Sequence, residues 1–270
     1  MNLNFTKMSG SGNDFVIIDN RKPVVPANEK REFVRKICAR RTSVGADGFI
    51  FIENSDTADF KWDFYNEDGS SAEMCGNGGR CVARYAVENG IASNVLSFET
   101  TAGLISAEVK GATVKIKLTS PVDLRAGVVL ELDGETFTVD SLNTGVPHAI
   151  VYTDCIEDID LPRIGRGIRY HEAFAPAGTN VCFVQVNSDG SLVVRTYERG
   201  VEGETLACGT GVVASSLLAS RRNELKSPIS ALTRGGEVLK VYFDAGQENF
   251  GDVYLEGLTK ISFTGVLGEL

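Results

Sequence analysis

The sequence predicts an α+β fold of two pseudo-symmetric domains, each a curled mixed or antiparallel sheet wrapped around one central apolar helix. Two glycine-flanked cysteines carry this prediction, in CGNG at 75–78 and in CGTG at 208–211, because they lie 133 positions apart. Each is followed by a segment, 81–88 or 212–219, that is apolar or small around nearly its whole circumference. A helix that is apolar on all sides must be buried on all sides, and a surrounding sheet is the simplest cover.

Three further matches in nearly the same register indicate an internal duplication. The triplet GAD at 45–47 falls on GTN at 178–180, and each precedes an apolar strand. TAG at 101–103 falls on RGG at 234–236. The glycine turns that end at Asn13 and His148 lie 62 and 60 positions before their respective cysteines. A single matching dipeptide carries no weight, but this series of matches predicts two related halves.

Each half shows the same order of predicted elements. A first strand, a polar segment and a second strand are followed by a short strand into the cysteine loop, one helix and a closing run of β-branched strands. We expect domains at 1–118 and 119–261, with a C-terminal strand at about 262–270 returning to the first, and a cleft between the two. The predicted strands and strand runs are 15–18, 49–52, 62–65 and 95–118 in the first half, and 149–152, 181–184, 193–197 and 238–255 in the second.

The composition narrows the class of function. The 270 residues carry a net charge of -9, which argues against a nucleic-acid partner because phosphate binding needs clustered Lys and Arg. No stretch approaches the roughly 20 apolar residues of a membrane span, and the N-terminus lacks a signal-peptide core, so we expect a cytoplasmic protein. Six cysteines without a CxxC pair, and two histidines, argue against a metal site.

The two glycine-flanked cysteines are the candidate reactive groups. Each lies where a central helix should begin, and the first turn of a helix offers unpaired N–H donors and the positive end of the helix dipole. Such a turn can hold a carboxylate without Lys or Arg. It should also lower the pKa of a thiol, which makes the cysteine a usable base near neutral pH.

Pseudo-twofold symmetry would bring one thiol to each side of a small bound molecule. A thiolate on one face of a carbon and a thiol on the other can remove a proton and return one from the opposite side, which inverts the stereocentre. We interpret the other four cysteines as small buried apolar residues: Cys38, Cys81, Cys155 and Cys182.

Seven segments that span almost the whole chain are distinctive in combination: SGNDF at 11–15, NEDGS at 66–70, EMCGNGGRC at 73–81, PH at 147–148, GTNV at 178–181, YERG at 197–200 and ETLACGTG at 204–211. Together they resemble the diaminopimelate epimerase family. The resemblance implies interconversion of LL- and meso-diaminopimelate for lysine and peptidoglycan synthesis, without pyridoxal phosphate, metal or other cofactor, by a homodimer.

The resemblance also implies individual roles. Cys75 and Cys208 would be the acid/base pair, and His148 and Glu198 the neighbours that tune their ionisation. A guanidinium such as that of Arg199 can fork the distal carboxylate of the substrate. The residues implied in substrate binding are Asn13, Asn66, Gly76, Asn77, Asn180, Glu198, Arg199, Gly209 and Thr210. Alternatively, His148 is a structural histidine, Glu198 and Arg199 carry surface charge, and the asparagines stabilise turns.

Two departures from the family pattern bear on the substrate rather than on the reaction type. Val146 stands where many members have asparagine, and Gly48 stands where some have glutamine. One alternative is therefore another cofactor-independent racemase of the same superfamily, acting on histidine, proline or a related substrate. A thiol redox or metal-binding protein and a pure binding module are alternatives of other classes.

Overall fold

The computed structural model describes residues 3–72, 74–246 and 250–268. Glu73 of the cysteine motif therefore lies outside the described residues, as do 247–249 and 269–270 in the predicted strand runs. The chain divides into two compact units, which we call unit 1 (1–116 with 257–270) and unit 2 (117–256).

The predicted α+β class is confirmed, because mixed β-sheet dominates and the described residues hold four α-helices. Two of them are the predicted central helices, which begin directly after the two cysteines rather than at positions 81 and 212. No helix in the described ranges is long and apolar enough to cross a membrane. The helices are α1 (Lys30–Cys38), α2 (Gly76–Glu88), α3 (Leu161–Arg169) and α4 (Gly209–Asn223).

The described residues of unit 1 form eight paired strands: β1 (Leu3–Gly10), β2 (Asn13–Asp19), β3 (Gly48–Glu53), β4 (Phe60–Asn66), β5 (Val95–Thr100), β6 (Gly103–Lys110), β7 (Thr113–Lys117) and β17 (Lys260–Leu267). Their order across the sheet is β17, β1, β2, β3, β4, β5, β6, β7. The β2–β3 and β4–β5 pairs are parallel, and the others are antiparallel.

Unit 2 repeats this arrangement with β8 (Val122–Leu132), β9 (Glu135–Asn143), β10 (Pro147–Tyr152), β11 (Asn180–Val186), β12 (Leu192–Glu198), β13 (Gly203–Thr205), β14 (Ile229–Thr233), β15 (Val238–Ala245) and β16 (Phe250–Leu258). The order is β8, β9, β10, β11, β12, β14, β15, β16, and the short strand β13 pairs with β12. The β10–β11 and β12–β14 pairs are parallel, and the others are antiparallel.

Apart from the short strand β13, the two units match strand for strand, in order and in sense, which confirms the predicted pseudo-symmetry. In each unit one helix joins the first parallel pair and the cysteine-started helix joins the second. The sequence matches recur at an offset near 133, but strand pairing departs from that offset by one residue. In unit 1 Phe15 pairs with Gly48. His148, 133 positions after Phe15, pairs with Asn180, which lies one residue short of the same offset from Gly48.

The two faces of each sheet serve different helices, because successive side chains of a strand point to opposite sides. In unit 1, Val16 and Phe49 pack with Ile37 of α1 in one apolar cluster. The opposite face meets α2, since a Cβ at Gly78 would lie 3.4 Å from the ring of Phe15. The alternation therefore gives each sheet one face toward its amphipathic helix and one toward its central helix.

Unit 2 follows the same rule. Val181 and Phe183 pack with Ile164 of α3, and the other face meets the first turn of α4, where a Cβ at Gly211 would lie 2.7 Å from Cys182 Sγ. Residues 211–220 of α4 are all buried, as are most residues of α2 from 77 to 86. The prediction that these helices are enclosed is correct.

The prediction of a single helix in each half is wrong, because α1 and α3 occupy the segments interpreted as polar. In α1 only one face is apolar, and it buries Val34, Ile37 and Cys38 while charged residues cover the rest. In α3 two glycines lower the intrinsic helix propensity, and burial of Leu161 and Ile168 compensates. Tertiary packing thus stabilises both helices.

Three of the four cysteines interpreted as buried core residues are buried: Cys38, Cys81 and Cys182. Cys155 is exposed, so the interpretation is wrong there. Its backbone N–H bonds to Thr153 Oγ1 at 3.2 Å in the loop after β10, where the chain has left the sheet and its core.

The core of unit 1 can be tested at Phe51, which is fully buried between Phe49 and Tyr65. We expect Phe51→Ala to lower the free energy of unfolding by about 3–5 kcal/mol, through lost burial and the cavity left behind. The fluorescence of Trp62, the single tryptophan and part of unit 1, reports urea unfolding. The control is Val95→Ala, because that side chain is 73% exposed, and it should change the free energy of unfolding by less than about 0.5 kcal/mol. Equal losses of stability in the two variants would contradict the assigned core.

Candidate active site

Cys75 is the N-cap residue of α2. Its backbone is extended (φ -142°, ψ 116°), its carbonyl accepts from Gly79 N at 2.8 Å, and its half-buried Sγ accepts from Gly78 N at 3.5 Å. The sulfur therefore occupies the position in which serine or aspartate commonly caps a helix. Cys75 thus presents its thiol at the positive end of a buried helix.

Cys208 holds the same position on α4. Its backbone is also extended (φ -117°, ψ 106°), and its carbonyl accepts from Val212 N at 2.9 Å. Its Sγ lies 3.6 Å from Thr210 Oγ1, and the residue is only 7% exposed. Both units thus place a cysteine at the same point of the same helix, as the sequence predicts.

The first turns of α2 and α4 supply amide donors beside these sulfurs. The first N–H groups of any α-helix have no acceptor within the helix. Here they belong to Gly76 and Asn77 in unit 1 and to Gly209 and Thr210 in unit 2, all predicted substrate contacts. Thr144 Oγ1 donates to the Thr210 carbonyl at 3.0 Å and ties this turn to the end of β9. Each turn is suited to bind a carboxylate.

The predicted lowering of the cysteine pKa is wrong for Cys208. Burial raises the pKa of this thiol far above its ordinary value, and the negative charge of Glu198 raises it further. The amide of Gly211 lowers the pKa, as a helix N-terminus should, but burial outweighs it. Cys208 is therefore a protonated thiol at neutral pH.

Glu198 lies at the end of β12, close enough for its charge to act on Cys208. Burial raises the pKa of its carboxyl, and the neighbouring Thr205 hydroxyl partly opposes this. A carboxylate with a raised pKa is a better proton acceptor than an ordinary one. Glu198 is thus a buried acid whose charge acts on the Cys208 thiol.

Asn180 and Arg199 are joined at the same end of the sheet. Asn180 is buried, and its Oδ1 accepts from the backbone N–H of Arg199 at 2.7 Å. The Arg199 guanidinium donates from Nη1 to the Ala177 carbonyl at 3.1 Å, which uses one of its five N–H donors. Asn180 therefore holds the strand end that carries Glu198 and Arg199.

His148, on β10, is completely buried. Burial lowers the pKa of its imidazole to about 3, and the positive charge of Arg199 contributes in the same direction. The ring is therefore neutral at pH 7. Its Nδ1 lies 3.7 Å from Cys182 Sγ.

In unit 1, Asn13 and Asn77 form one hydrogen-bonded network at the start of α2. Asn77 donates to Asn13 Oδ1 at 2.9 Å, and Asn13 donates to Asp47 at 3.1 Å. The buried Arg80 guanidinium donates to Asn77 Oδ1 at 2.9 Å and to Ser11 Oγ. The network joins the β1–β2 turn to the first turn of α2, and so brings these predicted site residues together.

Asn66 has no hydrogen bond to this network among the contacts of the described residues. It is exposed, and its Nδ2 donates to Ser70 Oγ at 3.0 Å, which stabilises the turn at 66–70. Gly48 lies opposite Asn66 in the strand pair, and a Cβ there would lie only 2.6 Å from the Phe64 ring. The ring excludes a glutamine side chain from position 48 unless it moves.

Cys182 and Thr196 also lie beside the site residues, although no sequence motif indicates them. Both lie on the sheet face toward α4, opposite each other in the β11–β12 pair, and Thr196 Oγ1 donates to Cys182 Sγ at 3.5 Å. The alternation of side chains along a strand could have indicated them, because residues two positions apart point to the same face of the sheet. Cys182 is two residues from Asn180, and Thr196 is two residues from Glu198. Among the described residues, no three His, Cys, Asp or Glu side chains are arranged to hold a metal ion.

The close packing around Cys208 can be tested at Gly211, the third residue of α4. A Cβ there would lie 2.7 Å from Cys182 Sγ and 3.3 Å from Cys208 Sγ. Gly211→Ala should therefore destabilise the protein by about 1–3 kcal/mol in urea unfolding. Gly78, the third residue of α2, is the matched control, because the nearest atom to its Cβ would be 3.4 Å away. Equal stability of the two alanine variants would contradict the packing described for unit 2.

The raised pKa of Cys208 can be tested by alkylation. Because only the thiolate reacts, iodoacetamide should modify Cys208 far more slowly than the exposed Cys155 at pH 7.5. The Cys208 rate should still be rising about tenfold per pH unit between pH 9 and 10, as a pKa above that range requires. Mass spectrometry of tryptic peptides separates the two rates. A Cys208 rate that levels off below pH 8 would show that its pKa is not raised.

Comparison with known proteins agrees with this geometry. The family model for diaminopimelate epimerase matches residues 5–123 and 141–258. The diaminopimelate epimerase of Aquifex aeolicus is 48% identical, with 99% of this chain and 98% of the relative covered. That of Hydrogenobaculum sp. is 46% identical, with 97% of each covered.

Among solved structures, a phenazine biosynthesis protein of the PhzF family from Bacillus anthracis matches with a TM-score of 0.75. The match covers 100% of both chains at 14% identity, so it shows the fold alone. The sequence matches confirm the family that the motifs resemble. This chain belongs to the diaminopimelate epimerase family, and it is an enzyme of the isomerase class.

Proposed function

We propose that this enzyme interconverts LL- and meso-diaminopimelate by proton transfer at Cα between Cys75 and Cys208. The observation that carries the proposal is the duplicated helix start, with a cysteine as N-cap of the buried helix in each unit. The family relatives that cover almost the whole chain bear the name of this activity. A packing role does not require a thiol at both helix starts.

In the proposed reaction one sulfur enters as thiolate and the other as thiol. The thiolate takes the Cα proton, so that the C–H bond breaks and an S–H bond forms while the electron pair stays on carbon. The second thiol then gives its proton to the opposite face of that carbon and becomes the thiolate. Atoms and charge balance, and the two cysteines have exchanged roles.

The raised pKa of Cys208 supports this cysteine as the proton donor of the resting enzyme. Cys75 would then be the base in that direction. In the reverse direction Cys208 must lose its proton first, and Glu198 is the nearby acceptor. We therefore propose that Glu198 controls the ionisation of Cys208, and that His148 forms part of the environment of the reacting groups.

The amides at the two helix starts would bind the carboxylate of the reacting carbon. Negative charge spreads onto this carboxylate as the Cα–H bond breaks, and fixed N–H dipoles stabilise it without reorganisation. The non-reacting end of diaminopimelate needs separate recognition. Arg199, with four further N–H donors, and Asn180 beside it are suited to its carboxylate and ammonium groups.

We propose the remaining family properties as well. The enzyme would supply meso-diaminopimelate for lysine and peptidoglycan synthesis, and it would act in the cytoplasm as a homodimer without a cofactor. Light scattering of the purified protein tests the dimer.

The decisive experiment is turnover of LL-diaminopimelate in D₂O without added cofactor. Deuterium should enter the α-position of the meso product, because the returning proton comes from an exchangeable thiol. We expect Cys75→Ala or Cys208→Ala to reduce kcat at least about 1,000-fold, since each removes one of the two proton-transfer groups. Far-UV circular dichroism should show an unchanged fold.

Cys155→Ala is the control, because that thiol is exposed and lies in the loop after β10. It should keep full activity. Parallel assays with L-histidine and L-proline test the alternative substrates. Turnover that requires pyridoxal phosphate, or full activity of either alanine variant at the helix starts, would overturn the proposal.

A further inference from the structure

Three buried polar side chains line the sheet face beneath the first turn of α4. They are His148 on β10, Cys182 on β11 and Thr196 on β12, and none is more than 3% exposed. Gly211 of α4 closes over Cys182, because a Cβ there would lie 2.7 Å from its sulfur. The three side chains therefore lie directly under the helix start that carries Cys208.

These side chains form a hydrogen-bonded chain that ends at one open ring nitrogen. Thr196 Oγ1 donates to Cys182 Sγ at 3.5 Å, and Cys182 Sγ lies 3.7 Å from His148 Nδ1. The other ring nitrogen, Nε2, is buried and has no hydrogen-bond partner among the described residues. A buried polar atom without a partner is costly to the fold, so it calls for a partner in the working enzyme.

The chemistry of the chain determines where the ring proton lies. Burial raises the pKa of the Cys182 thiol to about 12, so the sulfur keeps its proton, and the low pKa of His148 keeps the ring neutral. A neutral imidazole has one N–H donor and one acceptor nitrogen. Sulfur is a weak acceptor and the bare ring nitrogen a strong one, so the S–H donates to Nδ1. The ring proton then lies on Nε2.

Unit 1 shows that a packed sheet does not need this polar set. By strand pairing, Phe15, Ile50 and Phe64 occupy the places of His148, Cys182 and Thr196, and all three are buried apolar residues. They fill the space beneath α2 without buried polar atoms. The polar set of unit 2 therefore meets a requirement other than packing.

We propose that Cys182 and Thr196 are positioning residues that hold His148 as the Nε2–H tautomer. His148 then presents a hydrogen-bond donor, and not a base, to an anionic group of the reaction. This use of the donor rests on the proposed function, whereas the tautomer itself does not. In this role Cys182 acts through His148.

Nitrogen-15 NMR of the imidazole rings tests the tautomer directly. The chain has only two histidines, and the N–H of Ala173 donates to His171 Nδ1 at 3.2 Å, so His171 is an internal reference for the same tautomer. At pH 8, uniformly histidine-labelled wild-type protein should show a protonated Nε2 and an acceptor Nδ1 for His148. His171→Asn assigns the two rings.

Cys182→Ser and Cys182→Ala form a matched pair, because they differ only by a hydroxyl that can donate to Nδ1. The serine variant should keep the wild-type spectrum, while the alanine variant should populate the Nδ1–H tautomer. We expect kcat for diaminopimelate to fall about tenfold in the alanine variant, to recover to within about threefold in the serine variant, and KM to change less than about twofold.

A protonated Nδ1 in the wild-type protein would overturn the proposal, and this measurement needs no variant to fold. So would an alanine variant with the wild-type spectrum, or serine and alanine variants with equal losses of kcat. If the wild-type protein lacks epimerase activity, the proposed function fails, while the spectra still decide the tautomer.

Discussion

The site depends on one constraint, the enclosure of a helix inside its own sheet from its second or third residue onward. Because α4 is buried from residue 211 to 220, and most of α2 from 77 to 86, neither helix can shift without disrupting a core. The N-cap cysteines and the backbone N–H groups of the first helical turn are therefore held in fixed positions. A catalytic group held by packing of this kind needs no loop closure to define its direction.

The two units show how one scaffold supports different surroundings for the same reactive group. Strand order and sense are the same in both, and each cysteine caps the helix that joins the second parallel pair. The surroundings nevertheless differ, since Cys75 is half-buried above phenylalanine and isoleucine while Cys208 is buried above a hydrogen-bonded polar set. Two copies with unequal environments suit a reaction in which one sulfur must hold a proton while the other lacks it.

Much of the fold could be predicted because the duplication and the apolar helices are local patterns. The cysteine positions, the central helices and most strands follow from glycine spacing and alternation. Helix α1 could have been recognised from the helical spacing of Phe33, Val34, Ile37 and Cys38. Helix α3 could not be predicted, because its two glycines lower the helix propensity and only the burial of Leu161 and Ile168 compensates. The pKa of Cys208 was also beyond sequence reasoning, since a helix N-terminus lowers it and burial raises it, and burial is known only from the fold. The predicted burial of Cys182 is correct, but its polar contacts could not be predicted because its neighbours come from two other strands.

The pairing of β17 with β1 bears on how the chain folds as it leaves the ribosome. All eight strands of the repeated pattern in unit 2 come from one continuous stretch, whereas the outermost strand of unit 1, β17, follows the whole of unit 2 in the chain. Residues 3–116 are thus synthesised before unit 2 but lack a partner for one edge of β1 until β17 has been made. An unpaired edge strand invites association with other chains. The half of the enzyme that is made first is therefore the half that is completed last, and its nascent form would gain most from a chaperone.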